Sequence, residues 1–314
     1  MHLSNNLATQ PDMAGPPQNH TLRAGLYMVL CTACFVIADT CIKYVGPSLP
    51  VGEIMAILGL MSTVFMLVIC AQQGILKHAP LIFSRAVLLR SALDLLAGFM
   101  FILALMNLPL ANMAAIMQSV PLVVVVVGIV FLGEKGSLRR SLAVVVGFAG
   151  VMFIVKPTPQ SVSIYEFLAL GTVAMVALRD IVTKKIPGHV PLLIVALANA
   201  IFAGVGGFGV GMAQGFLGLH AWQFHVLLAA GIFITSGYIF IVATVRLGEL
   251  SATAPFRYAE VLFAIIAGIL VFNEYPDVPA YIGMALVIGA GLYAAHQESA
   301  QPHDAKVELM PPVL

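Results

Sequence analysis

The sequence predicts an all-α integral membrane protein with ten transmembrane helices arranged as two inverted five-helix repeats. Three observations predict this fold: the composition, the number of membrane-length apolar segments, and an internal repeat with opposite loop charges. Apolar residues make up 61% of the 314 residues and charged residues only 9%, with a mean hydropathy of +1.02. Because a water-soluble chain of this length carries far more charge on its surface, the bilayer is the expected solvent.

The apolar segments give the number of helices. A helix needs about 20 apolar residues to cross the hydrocarbon core. Ten segments approach or reach that length: 24–44, 53–73, 85–106, 110–132, 141–156, 164–183, 190–213, 222–245, 251–272 and 278–296. The breaks between them carry turn-forming sequences such as GPSLP, KPTPQ and NEYPDVP. Because most breaks are short, successive helices are expected to run antiparallel.

The basic residues of the short loops predict the orientation. If the N-terminus is inside, ten basic residues fall on the inner side: Arg23, Lys77, Arg85, Lys135, Arg139, Arg140, Lys184, Lys185, Arg246 and Lys306. Only Lys43 and Lys156 fall on the outer side. We therefore predict a multi-pass protein of the cytoplasmic (inner) membrane with both termini in the cytoplasm.

A weak internal repeat relates the two halves of the chain. When the sequence is shifted by about 140 residues, Asp39 falls on Asp180, and Glu134 of FLGEKGSLRR falls on Glu274 of VFNEYPDVP. The loop after Glu134 has three basic residues, whereas the loop after Glu274 has none and contains an aspartate, so the two loops favour opposite sides of the membrane. Five helices per copy is an odd number, so the second copy enters the membrane upside down, as in many secondary transporters.

These repeats resemble a known family. The segment LLRSALDLLAGFMFILALMNLPLANMAAIMQSVPLVVVVVGIVFLGEKGSLRRSLAVVVGFAGVMFIVKP and the segment LGELSATAPFRYAEVLFAIIAGILVFNEYPDVPAYIGMALVIGAG both resemble the EamA-type repeat of the drug/metabolite transporter superfamily. The resemblance covers roughly residues 24–296 and rests on the LGE-plus-basic loop with the following GxxGV. It implies ten helices, a central cavity and transport of a small organic metabolite without ATP. The APFRY motif is similar to branches that include S-adenosylmethionine and riboflavin carriers.

The repeats also divide the chain into regions. We predict a disordered N-terminal tail at 1–23, a first EamA-like repeat with helices 1–5 at 24–157, a second with helices 6–10 at 162–296, and a disordered C-terminal tail at 297–314. The first tail lacks the basic start and small-residue cleavage site of a signal peptide.

The ninth helix carries two charges near its centre, Arg257 and Glu260, in TAPFRYAEVLFAII. Such charges cost roughly 5–7 kcal/mol of insertion free energy, against roughly 3–6 kcal/mol gained from the apolar residues of this helix. The charged stripe is therefore expected to face the protein interior. There, Arg257 could bind a carboxylate or phosphate, and Glu260 could carry a coupling proton. Alternatively, the two charges neutralise each other or pair with Asp94 or Asp180.

Two prolines predict breaks in corresponding helices. Pro255 has no amide to donate, which frees the carbonyl of Ser251, and Pro121 in the fourth helix does the same for Met117. Irregular helices in corresponding positions of two repeats point to a transporter binding site. The freed carbonyls are therefore candidate substrate contacts.

Further polar residues are candidates for the same site. Gln118 and Tyr258 coincide in the repeat and flank the two kinks, so we predict that they contact the substrate. Arg90 and Asp94 stand at i and i+4 on the third helix, and are read either as a proton site at Asp94 or as an ion pair that ties this helix to its neighbours.

Residues near the helix ends are given a structural reading. Asp39 with Lys43, and Asp180 with Lys184, are predicted pairs in which the lysine reaches toward the interface, with gating as the alternative. A separate glycine series, Gly207, Gly211 and Gly215, predicts close approach of the seventh helix to a neighbour.

Other function classes are disfavoured. The net charge of +1 gives no field for nucleic acid. Cys31 and Cys34 form a lone CxxC without a second pair, so no metal or cofactor is predicted. The motifs HExxH, GxSxG and Walker A are absent from the sequence, which disfavours a membrane-embedded enzyme.

The predicted function is a secondary transporter that works by alternating access on a cofactor- or vitamin-like solute. The alternative is an exporter of amino acids, related metabolites or drugs, and a membrane-embedded enzyme or a channel is a remote alternative. The expected partners are the substrate and the lipid bilayer, and a homodimer is compatible with the sequence.

Overall fold

The computed structural model describes residues 18–131, 138–156, 163–247 and 250–299. The α-helices in those ranges are α1 Gln18–Val45, α2 Val51–Gln72, α3 Arg85–Asn107, α4 Leu110–Met117, α5 Val120–Phe131, α6 Leu138–Val155, α7 Ile164–Thr183, α8 Leu192–Gln214, α9 Ala221–Leu247, α10 Leu250–Arg257, α11 Ala259–Phe272 and α12 Val278–Ser299. Two 3-10 helices, Gly46–Ser48 and Ile75–Phe83, join neighbouring helices. Within the described ranges there is no β-strand.

Membrane-length helices dominate the described residues. By length and composition, seven helical segments there could cross a membrane, and the shorter apolar helices Leu142–Val155 and Val278–Tyr293 accompany them. The predicted all-α membrane fold is confirmed. α1 begins at Gln18 and α12 continues to Ser299, so both helices extend into the predicted tails. The division at 24–157 and 162–296 stays a prediction.

The two halves repeat the same order of helices. α4 covers residues 110–117 and α10 covers residues 250–257, so the short helix recurs after 140 positions with the same length of 8 residues. The packing repeats as well: α1 lies against α9 and α3 against α7, which are equivalent pairs when the halves are exchanged. α2 packs on α8 and α6 on α12, each helix meeting its own counterpart. This is the packing expected of an inverted repeat.

Corresponding helices are broken at corresponding places. The fourth span is interrupted at Gln118 and Ser119 between α4 and α5, and the ninth at Tyr258 between α10 and α11. Pro121 lies in the first turn of α5, where a helix has no acceptor for its amide, whereas Pro255 lies inside the last turn of α10. The breaks therefore coincide in the repeat although the prolines lie on opposite sides of them.

Glycines bring α2 and α8 into backbone contact. A Cβ on Gly59 would stand 2.2 Å from the amide nitrogen of Gly204, and one on Gly207 would stand 2.4 Å from that of Ala56. A Cβ on Gly52 would likewise collide with the amide nitrogen of Gly211. Gly215 departs from the prediction: it follows the end of α8 with a φ of +84° and has nothing near its Cβ position. Its role is to turn the chain, because L residues rarely adopt that φ.

Candidate functional site

The two helix breaks meet through side chains in the middle of the bundle. Gln118, which is buried, donates from Nε2 to Oε2 of Glu260 at 2.9 Å and to the main-chain oxygen of Arg257 at 3.3 Å. The carbonyl of Arg257 is available for this bond because α10 ends there and α11 begins at Ala259. One amide thus joins the first half to both sides of the break in the second half.

Other charged and polar groups surround Glu260. The carboxyl of Asp39 on α1 lies close enough to Glu260 for the two to repel. Arg257 is exposed, and its charge acts on both Glu260 and Cys31. The expectation that the ninth span turns its glutamate inward agrees with this placement. The arrangement offers two carboxyls and one guanidinium to a ligand in the same region.

The other predicted substrate contacts are Tyr258, Met117 and Ser251. A Cβ on Gly291 would lie only 1.7 Å from the hydroxyl oxygen of Tyr258, so this ring points at α12, whereas Gln118 bonds Glu260. The equivalence of Gln118 and Tyr258 is thus one of chain position rather than of direction. Met117 packs against the hydrophobic core. The side chain of Ser251 lies outside the described residues.

A second polar network joins α3, α7 and α8. Arg179 donates from Nη1 to Oδ1 of Asp94 at 2.7 Å and from Nη2 to Oδ1 of Asp180 at 2.8 Å. Asn199 donates to Oδ2 of Asp94 at 2.8 Å and accepts from the buried Ser91 hydroxyl at 2.9 Å. Asp94 is therefore fully engaged by the second half of the chain.

This network corrects the predicted pairing of Arg90 with Asp94. Arg90 instead donates from Nε to Oγ1 of Thr183 at 2.9 Å. Its Nη1 is buried and has no hydrogen-bond acceptor among the described residues. Asp180 likewise bonds Arg179 rather than Lys184. The prediction that Asp94 ties its helix to a neighbour agrees with the structure, but the partner is Arg179.

Tyr238 lies between the two polar groups. Its ring, on α9, is 50% exposed although its hydroxyl lies within electrostatic range of Asp94, Arg90, Arg179 and Cys31. Tyr238 thus stands near charges of α3 and α7 and near Cys31 of α1, which is itself near Glu260.

A third contact closes one end of the bundle, which we call the Glu274 end: the end where α1, α3 and α11 finish and α4 begins. The buried Lys43 donates to Oε1 of Glu274 at 2.5 Å and to the carbonyl of Leu108 at 2.5 Å. Oε2 of Glu274 accepts from the amide of Leu110 at 2.9 Å, at the N-terminus of α4. Lys43 thus departs from its predicted pairing with Asp39. Asn273, at a φ of 55°, ends α11 and folds Glu274 back over this site.

Sequence reasoning missed Arg179, Asn199 and the contact between Lys43 and Glu274 as parts of these networks. Arg179 stands within an apolar span and could have been found by the same cost argument that marked Arg257. The partner of Lys43 lies 231 residues away, and no periodicity connects the two. Glu134, the predicted counterpart of Glu274, lies outside the described residues.

The helix order and the paired breaks agree with a comparison to family models. The model of the EamA-like transporter family matches residues 22–156 and again residues 163–294. The chain belongs to this family. The resemblance inferred from the repeat is confirmed, and this EamA-family chain is a multi-pass membrane protein of two family repeats.

Relatives with named activities carry different solutes. An S-adenosylmethionine uptake transporter of Rickettsia conorii is 26% identical over 193 residues, and the match covers 60% of this chain and 64% of the relative. A riboflavin transporter of Brucella anthropi is 25% identical over 225 residues, or 69% of this chain and 78% of the relative. The pseudopaline exporter CntI of Pseudomonas aeruginosa is 24% identical over 282 residues, or 86% and 95%. The match thus spans less than two thirds of the S-adenosylmethionine transporter.

One solved structure shares the fold. A chain described as a crystal structure of a protein superposes with a TM-score of 0.63 at 15% identity, covering 90% of this chain and 99% of that one. At that identity, the likeness concerns the arrangement of helices alone.

Proposed function

We propose that this EamA-family chain is a secondary transporter that moves a small organic metabolite across the cytoplasmic membrane by alternating access. The observation that carries the proposal is the bond between Gln118 and Glu260, which joins the breaks of two corresponding helices. Broken helices at the interface of inverted repeats leave main-chain groups and charged side chains free for a solute. The same bond links the two halves, so a solute that engages Glu260 acts on their relative position.

The proposed solute is cofactor- or vitamin-like, with S-adenosylmethionine and riboflavin as the first compounds to test. The guanidinium of Arg257 suits a carboxylate, because it presents paired donors. The neighbouring carboxyls of Asp39 and Glu260 suit a cationic group. S-adenosylmethionine carries both a carboxylate and positive groups, which supports it over the neutral riboflavin.

Export of amino acids or related metabolites is the second candidate. The exporter CntI matches this chain over 86% of its length, a larger share than the uptake transporters match. Inverted repeats expose one site to either side, so helix geometry supports both directions equally. Uptake into right-side-out vesicles, compared with uptake into inside-out vesicles, separates the two.

We further propose that the Glu274 end faces outward and that both termini are cytoplasmic. Apart from Arg90, Arg179 and Arg257, the chain has twelve Lys and Arg residues, and ten of them fall on the opposite side. We call that opposite side, where α7 finishes and α3 begins, the Thr183 end. In this orientation the network of Asp94 and Arg179 lies in the cytoplasmic half.

A two-step experiment tests the proposed function. Purified protein is first screened by thermal shift against a metabolite panel, since a solute that binds the folded state raises the melting temperature. Hits are then tested by counterflow in proteoliposomes, which a carrier shows and an open channel does not. Arg257→Ala is expected to insert but not to transport, whereas the exposed control Lys77→Ala keeps full activity. Full activity of Arg257→Ala would remove that residue from the site.

A further inference from the structure

The charged side chains between α3 and α7 can form ion pairs in two different combinations. In the structure, Arg179 of α7 bonds Asp94 of α3 and also bonds Asp180, its neighbour in sequence. Arg90 of α3 is left with the hydroxyl of Thr183 and a buried Nη1 that no described acceptor meets. Two guanidiniums and two carboxylates are present, so the set as a whole is neutral.

The same four groups stay neutral when α3 and α7 separate. Arg90 and Asp94 stand at i and i+4 on one helix, the spacing at which oppositely charged side chains meet. Arg179 and Asp180 are already joined, by bonds of 3.0 and 2.8 Å to Oδ1 of Asp180. After separation, α3 would therefore hold the ion pair of Arg90 with Asp94, and α7 that of Arg179 with Asp180. The side chains of Arg179 and Asp94 are 25% and 24% exposed, and breaking such a partly buried ion pair is unfavourable unless each charge finds a replacement partner. Here a replacement exists.

We propose that Asp94 exchanges partners when the Thr183 end opens: it binds Arg179 while the seam between α3 and α7 is closed, and Arg90 once the seam is open. The exchange rests on the proposed alternating access, because it supplies the bistable contact that such a motion requires. The unpartnered Nη1 of Arg90 is the sign of the second position, since a buried guanidinium N–H without an acceptor is costly in the closed state. Arg179 thus stabilises the closed contact between α3 and α7, and Arg90 binds Asp94 when that contact opens.

The prediction that separates this mechanism from a static salt bridge concerns two substitutions with the same change of charge. R179Q removes the closed-state partner of Asp94, so the seam opens. R90Q removes the open-state partner of Asp94, but also the closed-state bond to Thr183. T183V removes that closed-state bond, together with the bond that the Thr183 hydroxyl donates to the carbonyl of Arg179 within α7, keeps both guanidiniums, and serves as the control. The comparison of R90Q with T183V therefore isolates the open-state pair.

The measurement is the distance between spin labels at Leu89 and Leu178, exposed positions on α3 and α7 with 53% and 39% accessibility. Labels are attached to L89C and L178C in full-length protein whose four native cysteines are replaced by alanine, reconstituted in nanodiscs without added solute. The ratio of long to short distances reports the open and closed seam.

R179Q is expected to raise the open-to-closed ratio at least roughly tenfold, the size expected from one charge-assisted hydrogen bond. R90Q is expected to give a lower ratio than T183V. If R179Q does not fold, R179K serves, because an ammonium keeps the charge but cannot hold Asp94 and Asp180 with a planar fork. Identical distributions for R90Q and T183V, or a shift of R90Q toward longer distances than T183V, would overturn the exchange. Since no solute is present, failure of the proposed binding site leaves this readout unchanged.

Discussion

Gln118 and Glu260 are separated by 142 residues in the chain and joined by a hydrogen bond of 2.9 Å at the meeting point of two helix breaks. The bond has two separable contributions, the charge of Glu260 and the donor of Gln118. We expect E260Q to keep its melting temperature within a few degrees, because the amide oxygen still accepts from Gln118. We expect it to lose counterflow activity, because the charge is gone. An E260Q protein that transports normally would show that the carboxylate charge is not needed.

Gln118→Ala is expected to act on stability instead. It leaves Glu260 and the carbonyl of Arg257 without their donor, which costs about 1–3 kcal/mol of unfolding free energy. Thermal unfolding in detergent measures the change.

Tyr258 provides a test of direction within the site. Its hydroxyl contacts the backbone at Gly291 and points at α12. We therefore expect Tyr258→Phe to retain most of the counterflow activity, in contrast to E260Q. Loss of transport in Tyr258→Phe, with an unchanged melting temperature, would place the hydroxyl in contact with the solute as the sequence predicted.

The contact between Lys43 and Glu274 is expected to show strong coupling. Lys43 is 7% exposed, so E274Q leaves a buried ammonium without its counter-charge and should cost about 3–5 kcal/mol. K43M with E274Q removes both charges and should be more stable than E274Q alone. A double-mutant cycle on the unfolding free energy measures the coupling. Additive effects of the two single changes would contradict the buried pair.

The seam of α2 and α8 should be sensitive to a single methyl group. Gly59→Ala places a Cβ 2.2 Å from the amide nitrogen of Gly204, and such overpacking costs about 1–3 kcal/mol. Gly209→Ala on α8 meets nothing within 4 Å and is the matched control, expected to be neutral or to stabilise by about 0.5–1 kcal/mol. Equal melting temperatures for the two variants would show that the helices are farther apart.

The proposed orientation of the second half is tested by labelling from the two sides of the membrane. Cysteines at Gly188 and Tyr275, both exposed, are introduced one at a time into protein without native cysteines. A membrane-impermeant maleimide applied to intact cells should label the cysteine at position 275, and should reach position 188 only after the cells are permeabilised. Labelling of both positions from the same side would contradict the proposed orientation of the second half.

The class of fold follows from the amino-acid sequence alone. Segment length sets which parts cross the bilayer. Pro121 and Pro255 predicted breaks in the fourth and ninth spans, which the structure has at Gln118 to Ser119 and at Tyr258. The cost of placing Arg257 and Glu260 in an apolar span predicted a charged stripe that faces protein rather than lipid. In the structure Glu260 bonds Gln118, whereas Arg257 is exposed. These features depend on local chemistry and on the bilayer, so they can be read without knowledge of the packing.

Which charges pair depends on how the helices pack in three dimensions. Local spacing favoured Arg90 with Asp94 and Asp39 with Lys43, because i and i+4 positions are neighbours on a helix. In the structure, Asp94 instead forms an ion pair with Arg179, and Lys43 forms one with Glu274. In a low-dielectric interior, the partner is fixed by which helices pack together and which groups are otherwise left buried and unpaired. That choice arises from contacts between the two halves, and no local pattern in either half contains it.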